Sequence, residues 1–144
     1  MTGDSTVTNP SDEAVRGILA AMRKVAVVGI SANPERASHG ISKFLAGQGL
    51  DVYGINPVLK EDVLGLEIFP DLASLPGPVD VVDVFRRSDA VPAIVDEAIA
   101  NGAGCVWLQE GVVHEEAAAK ARAAGIEVVS DRCIYKEWLR LMNG

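Results

Sequence analysis

The chain has 144 residues, 49% of them hydrophobic and 23% charged, and a formal net charge of -7. That size and balance suit one globular domain with a single substantial core, and the acidic balance argues against nucleic-acid binding, which needs a basic face. No apolar run approaches the ~20 residues of a membrane span, and Cys105 and Cys133 make neither a metal-ligand spacing nor a disulfide framework.

Residues 1–10 carry no packing signal and are expected to be a flexible tail, with residues 11–144 forming the domain. The polar start "MTGDSTVTNPSDE" has no signal-peptide anatomy, so the cytoplasm is the expected location. Ser11 stands where a cap belongs, with Asp12 and Glu13 in the first turn of a helix. Val15, Ile18, Leu19 and Met22 recur along it at helical spacing.

Short β-branched runs then appear at 25–29, 51–55, 79–85, 104–108 and 126–129. Helical stretches at 38–48, 89–101 and 113–124 separate them, each ending near a glycine: Gly49, Gly102 and Gly125. The runs are apolar almost throughout, as expected of strands covered on both faces. Segment 57–78 is too rich in proline and glycine for a full crossover helix; it predicts a short strand at 66–69 and a helical turn at 71–75. A closing helix at 135–142 sets Tyr135, Trp138, Leu139 and Met142 on one side. This alternation predicts the α/β class, a doubly wound parallel sheet.

The first strand opens the informative stretch, "VAVVGISANPERASHG", residues 25–40. A buried strand that stops at a glycine before a helix commonly cradles a phosphate. The dinucleotide fingerprint G-x-G-x-x-G is broken here, because Ser31 and Pro34 occupy the second and third glycine positions. Arg36, Arg86, Arg87 and Arg132 follow three different strand ends, and Lys43 adds a cation in the first crossover helix. On an acidic chain this grouping suggests an anionic ligand with more than one phosphate. The alternative is a set of solvated arginines paired with local acids such as Asp83 or Asp89. The second strand ends in Asn56-Pro57, whereas NAD-binding sheets usually place an acid there to hold the ribose.

Together, "VAVVGISANPERASHG", "YGINP", "VDVVDVFRRSDAVPAIVDEAI", "GAGCVWLQEGV" and "AGIEVVSDRCI" resemble the small stand-alone CoA-binding proteins of the YccU-like family. These are relatives of the amino-terminal nucleotide domain of the succinyl-CoA synthetase α-subunit. The resemblance runs from about residue 12 to the end and implies a single Rossmann-like, three-layer α/β/α domain that binds coenzyme A. It implies pyrophosphate contacts from Gly29, Ile30, Ser31, Pro34, Arg36 and Ser38, and an adenosine border at Asn56 and Pro57. Phe85, Arg86 and Arg87 would form the next wall, Gln109 and Gly111 would meet the pantetheine arm, and Arg132 and Cys133 would face the thiol end.

Several residues have plainer readings. Trp107 and Cys105 read as core, His39 as a solvated or phosphate-capping histidine, and His114 as a helix-start residue without chemistry. Tyr135 and Trp138 read as helix packing or an oligomer contact, leaving a homo-oligomer or protein partner open. The sequence holds no Ser-His-Asp order, no G-x-x-x-x-G-K-[ST] loop and no H-E-x-x-H motif. The expected function is CoA or acyl-CoA binding without catalysis of its own and without nucleic-acid or membrane partners. A CoA-sensing regulator, a NAD(P)-linked oxidoreductase and a CoA-dependent enzyme subunit with a separately encoded partner remain the alternatives.

Overall fold

The computed structural model describes residues 7–142. Residues 1–6 of the expected tail lie outside the described residues, whereas Thr8 and Asn9 are tied to the body. The Arg122 guanidinium donates to the Thr8 carbonyl at 2.7 Å, and the Asn9 side chain exchanges two hydrogen bonds with the Ser130 backbone at 3.0 and 2.6 Å. The Ser11 hydroxyl accepts from the Ala14 N–H at 3.1 Å and starts helix α1 (Asp12–Ala21), as its cap chemistry predicts.

Six strands follow: β1 (Lys24–Val28), β2 (Asp51–Ile55), β3 (Ile68–Phe69), β4 (Val81–Val84), β5 (Cys105–Leu108) and β6 (Glu127–Val129). Helices α2 (Ala37–Gly47), α3 (Val91–Asn101) and α4 (Glu115–Ala123) connect them, and α5 (Ile134–Met142) closes the chain. The segment after β2 contains the short strand β3 and a single 3-10 turn, Leu72–Ser74. The sheet order is β3-β2-β1-β4-β5-β6 with every pair parallel. This is the Rossmann-like order, with its reversal between β1 and β4, and such a reversal opens a crevice beyond the strand carboxyl ends.

Alternation within the buried strands sorts the core into two layers. Val28, Val82, Val84, Val106 and Leu108 face α3 and α4, while Val25, Val27, Val81 and Trp107 face α1, α2 and α5. Asp83 shares the second face by period, and register sets it between Val27 of β1 and Trp107 of β5. The Trp107 indole is fully buried and its Nε1–H donates to the Arg132 carbonyl at 2.8 Å, so it is a core residue.

The closing helix turns a different face inward from the one its largest apolar residues suggest. Ile134, Glu137 and Leu141 are buried, Trp138 and Met142 are half-buried, and Tyr135 and Leu139 stay 38% and 41% exposed. Glu137 tolerates burial because Arg140 and Arg132 both donate to it, at 2.8 and 3.2 Å. Hydrogen bonding from Arg140 holds the Glu137 carboxyl below its usual range. Arg140 also forks onto Asp12 at 2.9 and 2.8 Å, tying α5 to α1. Among the described residues, no helix is long and apolar enough to cross a membrane.

Candidate functional site

Gly29 ends β1 with φ +89°, and its N–H donates to the Ile55 carbonyl at 2.9 Å. A Cβ at this position would stand 2.5 Å from the Phe85 carbonyl oxygen and 3.0 Å from Arg86 Cδ. Glycine is therefore required twice, for the left-handed backbone and for the close approach of the β4 exit.

Beyond Gly29 the turn is held by its own polar side chains. Ser31 Oγ accepts from the Asn33 N–H at 3.0 Å, and Asn33 Oδ1 accepts from the Glu35 N–H at 2.9 Å. His39 reaches back from α2 so that its Nδ1 lies 3.0 Å from the Ser31 carbonyl oxygen. A carbonyl only accepts, so Nδ1 carries the proton. His39 is thus a brace for the turn rather than a solvated side chain. At the start of α2 the capping position belongs to Arg36, whose side chain makes no capping bond. The positive end of the helix lies at the crevice, and among the described residues no side chain caps it.

Asn56 joins this turn to the next loop. Its Nδ2 donates to the Ile30 carbonyl at 2.9 Å, while its Oδ1 accepts from the Val58 and Leu59 N–H groups at 2.8 and 3.2 Å. Both ends of the amide are engaged, and Val58 and Leu59 are drawn over the crevice.

These parts enclose a cavity of about 820 Å³, within the range of small-molecule sites. Gly29, Ile30, Ser31, Arg36 and Ser38 line it from the first turn and α2. Asn56 and Pro57 follow β2, Phe85, Arg86 and Arg87 follow β4, Gln109 and Gly111 follow β5, and Cys133 comes from the α5 approach. Two expected residues lie elsewhere. Pro34 sits on the exposed outside of its turn, and Arg132 turns to Glu137, which needs it as a partner in burial. Lys43 is also away from the cavity, beside Phe44 and Tyr135 on the outer side of α2.

The sequence reading missed Ala32, Ala37, Ile41, Val58, Leu59 and Val112, which with Glu110 complete the lining. The Asx-turn chemistry of Asn56 was the available signal for Val58 and Leu59.

The cavity arginines differ in availability. Arg87 pairs with Asp89 at 3.1 Å, but both side chains are largely exposed, so this bond is weak and exchangeable. Arg36 and Arg86 make no side-chain ion pair or hydrogen bond among the described residues. Two unpaired guanidinium groups, an open helix start and a glycine turn suit a ligand carrying adjacent phosphates.

Below the cavity floor, Gln109 Nε2 donates to Asp83 Oδ1 at 2.5 Å. Asp83 is fully buried, and desolvation pushes its carboxyl up to about 7 despite that hydrogen bond. Cys105, within β5, is buried and its thiol is pushed well above the usual range, chiefly by desolvation. Cys133 is half-buried and reaches the cavity. His114 caps α4, its Nδ1 accepting from the Ala117 N–H at 3.1 Å. No group of His, Cys, Asp and Glu among the described residues is arranged to hold a metal.

The family model described as "CoA binding domain" matches residues 23–138. The uncharacterized protein YneT of Bacillus subtilis (strain 168) is 37% identical over 126 residues, spanning 88% of this chain and 93% of that protein. A hypothetical protein from Pyrococcus horikoshii OT3 is 38% identical with a TM-score of 0.88, over 92% of this chain and 93% of that one. The dinucleotide-forming acetyl-coenzyme A synthetase 1 of Ca. Korarchaeum cryptofilum, solved with phosphate and ADP, is similar at 26% identity and a TM-score of 0.63. That likeness covers 73% of this chain and 25% of the synthetase chain.

Proposed function

The chain belongs to the CoA-binding domain family, and from that premise we propose that it binds coenzyme A or an acyl-CoA at the strand carboxyl ends, as a binding module without catalysis of its own. The observation that carries this reading is the Gly29 turn closed against Phe85, with Arg36 and Arg86 unpaired among the described residues above the start of α2. In this reading the phosphates meet the turn, Arg36 and Arg86, and Ser31 still has its hydroxyl proton to donate because Oγ is engaged only as an acceptor. The adenosine borders Asn56 and Pro57, and the pantetheine arm runs toward Gln109, Gly111 and Cys133. Pro34 and Arg132 have no contact in this arrangement.

A thermal-shift titration with CoA and NAD tests the reading. A ligand that binds only the folded chain raises its melting temperature by mass action, and CoA is expected to do so at far lower concentration than NAD. NAD lacks its usual ribose acceptor here, since β2 is followed by Asn56 and that amide is already committed to Ile30, Val58 and Leu59. Equal or greater stabilisation by NAD would overturn the assignment.

The two cysteines give opposed expectations with CoA disulfide. Attack by the Cys133 thiolate on one sulfur of that disulfide forms a protein–CoA disulfide and releases one CoA thiolate, so no further oxidant is needed. Intact mass measurement is expected to find one reducible CoA adduct, lost in Cys133→Ser and kept in Cys105→Ser, because Cys105 is sealed in β5. Absence of the adduct on folded, CoA-competent protein would leave Cys133 as a lining residue only.

A further inference from the structure

Among the described residues, Asp83 is the one carboxyl buried in a central strand of the sheet, and Gln109 is its only hydrogen-bond partner. Its second oxygen, Oδ2, is buried with no partner. A buried carboxyl left half-satisfied is costly, so its retention in an otherwise apolar strand calls for a reason beyond packing. Gln109 is itself buried to 6% exposure, yet it lines the cavity. Its backbone is fixed from both sides, with its N–H on the Val84 carbonyl and its own carbonyl accepting from Val112.

With the backbone held, the carboxamide has two orientations, and Asp83 selects between them. The Asp83 oxygen facing Gln109 accepts, whether the carboxyl is ionised or carries its proton on the other oxygen. In the structure the amide turns Nε2 toward Asp83 and Oε1 away from it. Gln109 Oε1 accepts no hydrogen bond among the described residues and is not sealed in the core.

We propose that Asp83 is a positioning residue that fixes Gln109 Oε1 as a hydrogen-bond acceptor in the cavity, so that the site selects a ligand arm presenting a donor there. The inference rests on the CoA reading above, and the pantetheine arm supplies donors of that class, its amide N–H groups and its terminal thiol. Asp83 touches no ligand in this scheme and acts through Gln109 alone.

Calorimetry with two ligands, CoA and 3′-phospho-ADP (the same nucleotide without the arm), separates the inference from its premise. The wild-type chain is expected to prefer CoA. Asp83→Leu keeps the approximate shape but leaves the Gln109 amide free to turn, and is expected to lose CoA affinity about 5- to 10-fold, the range of one net hydrogen bond. Affinity for 3′-phospho-ADP stays unchanged. Asp83→Asn keeps the shape and can still present a carbonyl oxygen to Nε2, and is expected to keep the wild-type preference. Gln109→Met removes the acceptor while leaving Asp83 in place, and is expected to match Asp83→Leu, which guards against misfolding of the strand variant. An unchanged preference in both Asp83→Leu and Gln109→Met, or an equal loss of both ligands, would overturn the positioning role and leave CoA binding standing. Failure of the wild-type chain to bind either ligand would overturn the CoA reading and this inference with it.

Discussion

Asp83→Asn is expected to gain stability over the native chain as pH rises from near 5 to near 8, by about 3 kcal/mol. Burial raises the Asp83 carboxyl from its ordinary value to about 7 in the folded protein. The unfolded chain therefore gives up this proton first, and between those two values the folded state binds more protons. Stability contributed by the neutral carboxyl is complete below the unfolded value and is lost as pH rises through about 7. Asparagine keeps the shape and a partner for Gln109 but has no proton to lose. Other titrating groups are common to both proteins and cancel in the difference. Urea unfolding of the two chains at both pH values measures it. A stability difference that is the same at both would mean that Asp83 is reached by water or by a donor and stays ionised in the fold.

Asp83 also shows where sequence reading stops. In "VDVVDVFRR" an acid beside two arginines invites a local ion pair, and Asp89 does pair with Arg87. Asp83 does not, because strand alternation turns it from the arginine-bearing loop into the layer of Val27 and Trp107. The doubly wound parallel sheet and the strand ends were legible because apolar runs, helix caps and glycine stops all pointed the same way. The cavity followed, since a doubly wound sheet fixes which ends converge.

What the sequence concealed was decided by side-chain partners a few residues away, which apolar periodicity does not report. Arg132 reads as a strand-end cation, but Glu137 one turn later in α5 is buried and takes it. The inward face of α5 was hidden for the same reason. Ile134, Glu137 and Leu141 turn in because charges from Arg132 and Arg140 satisfy the acid, and hydrophobicity alone would choose Tyr135 and Leu139. Val58 and Leu59 join the cavity through hydrogen bonds from a single asparagine side chain.

The same distinction between free and committed arginines predicts an unequal response to their removal. Arg36 and Arg86 reach the cavity without a counter-charge among the described residues, so a phosphate would be their first strong partner. Charge-assisted bonds to phosphate are worth about 1.5–3 kcal/mol each, and Arg36→Ala is expected to weaken CoA binding roughly 10- to 100-fold by calorimetry. Arg86→Ala should behave likewise. Arg87→Ala should lose less, since binding through Arg87 must first displace Asp89. Arg132→Ala should leave CoA affinity close to native but lower the melting temperature, because it strips a donor from buried Glu137. The losses from Arg36 and Arg86 should shrink as salt is raised, as screening weakens attraction between exposed charges. Equal losses from all four substitutions would point to a diffuse positive field rather than a built phosphate site. A folded Arg36→Ala protein with native CoA affinity would remove that arginine from the site and move the phosphates toward Arg86 and Arg87.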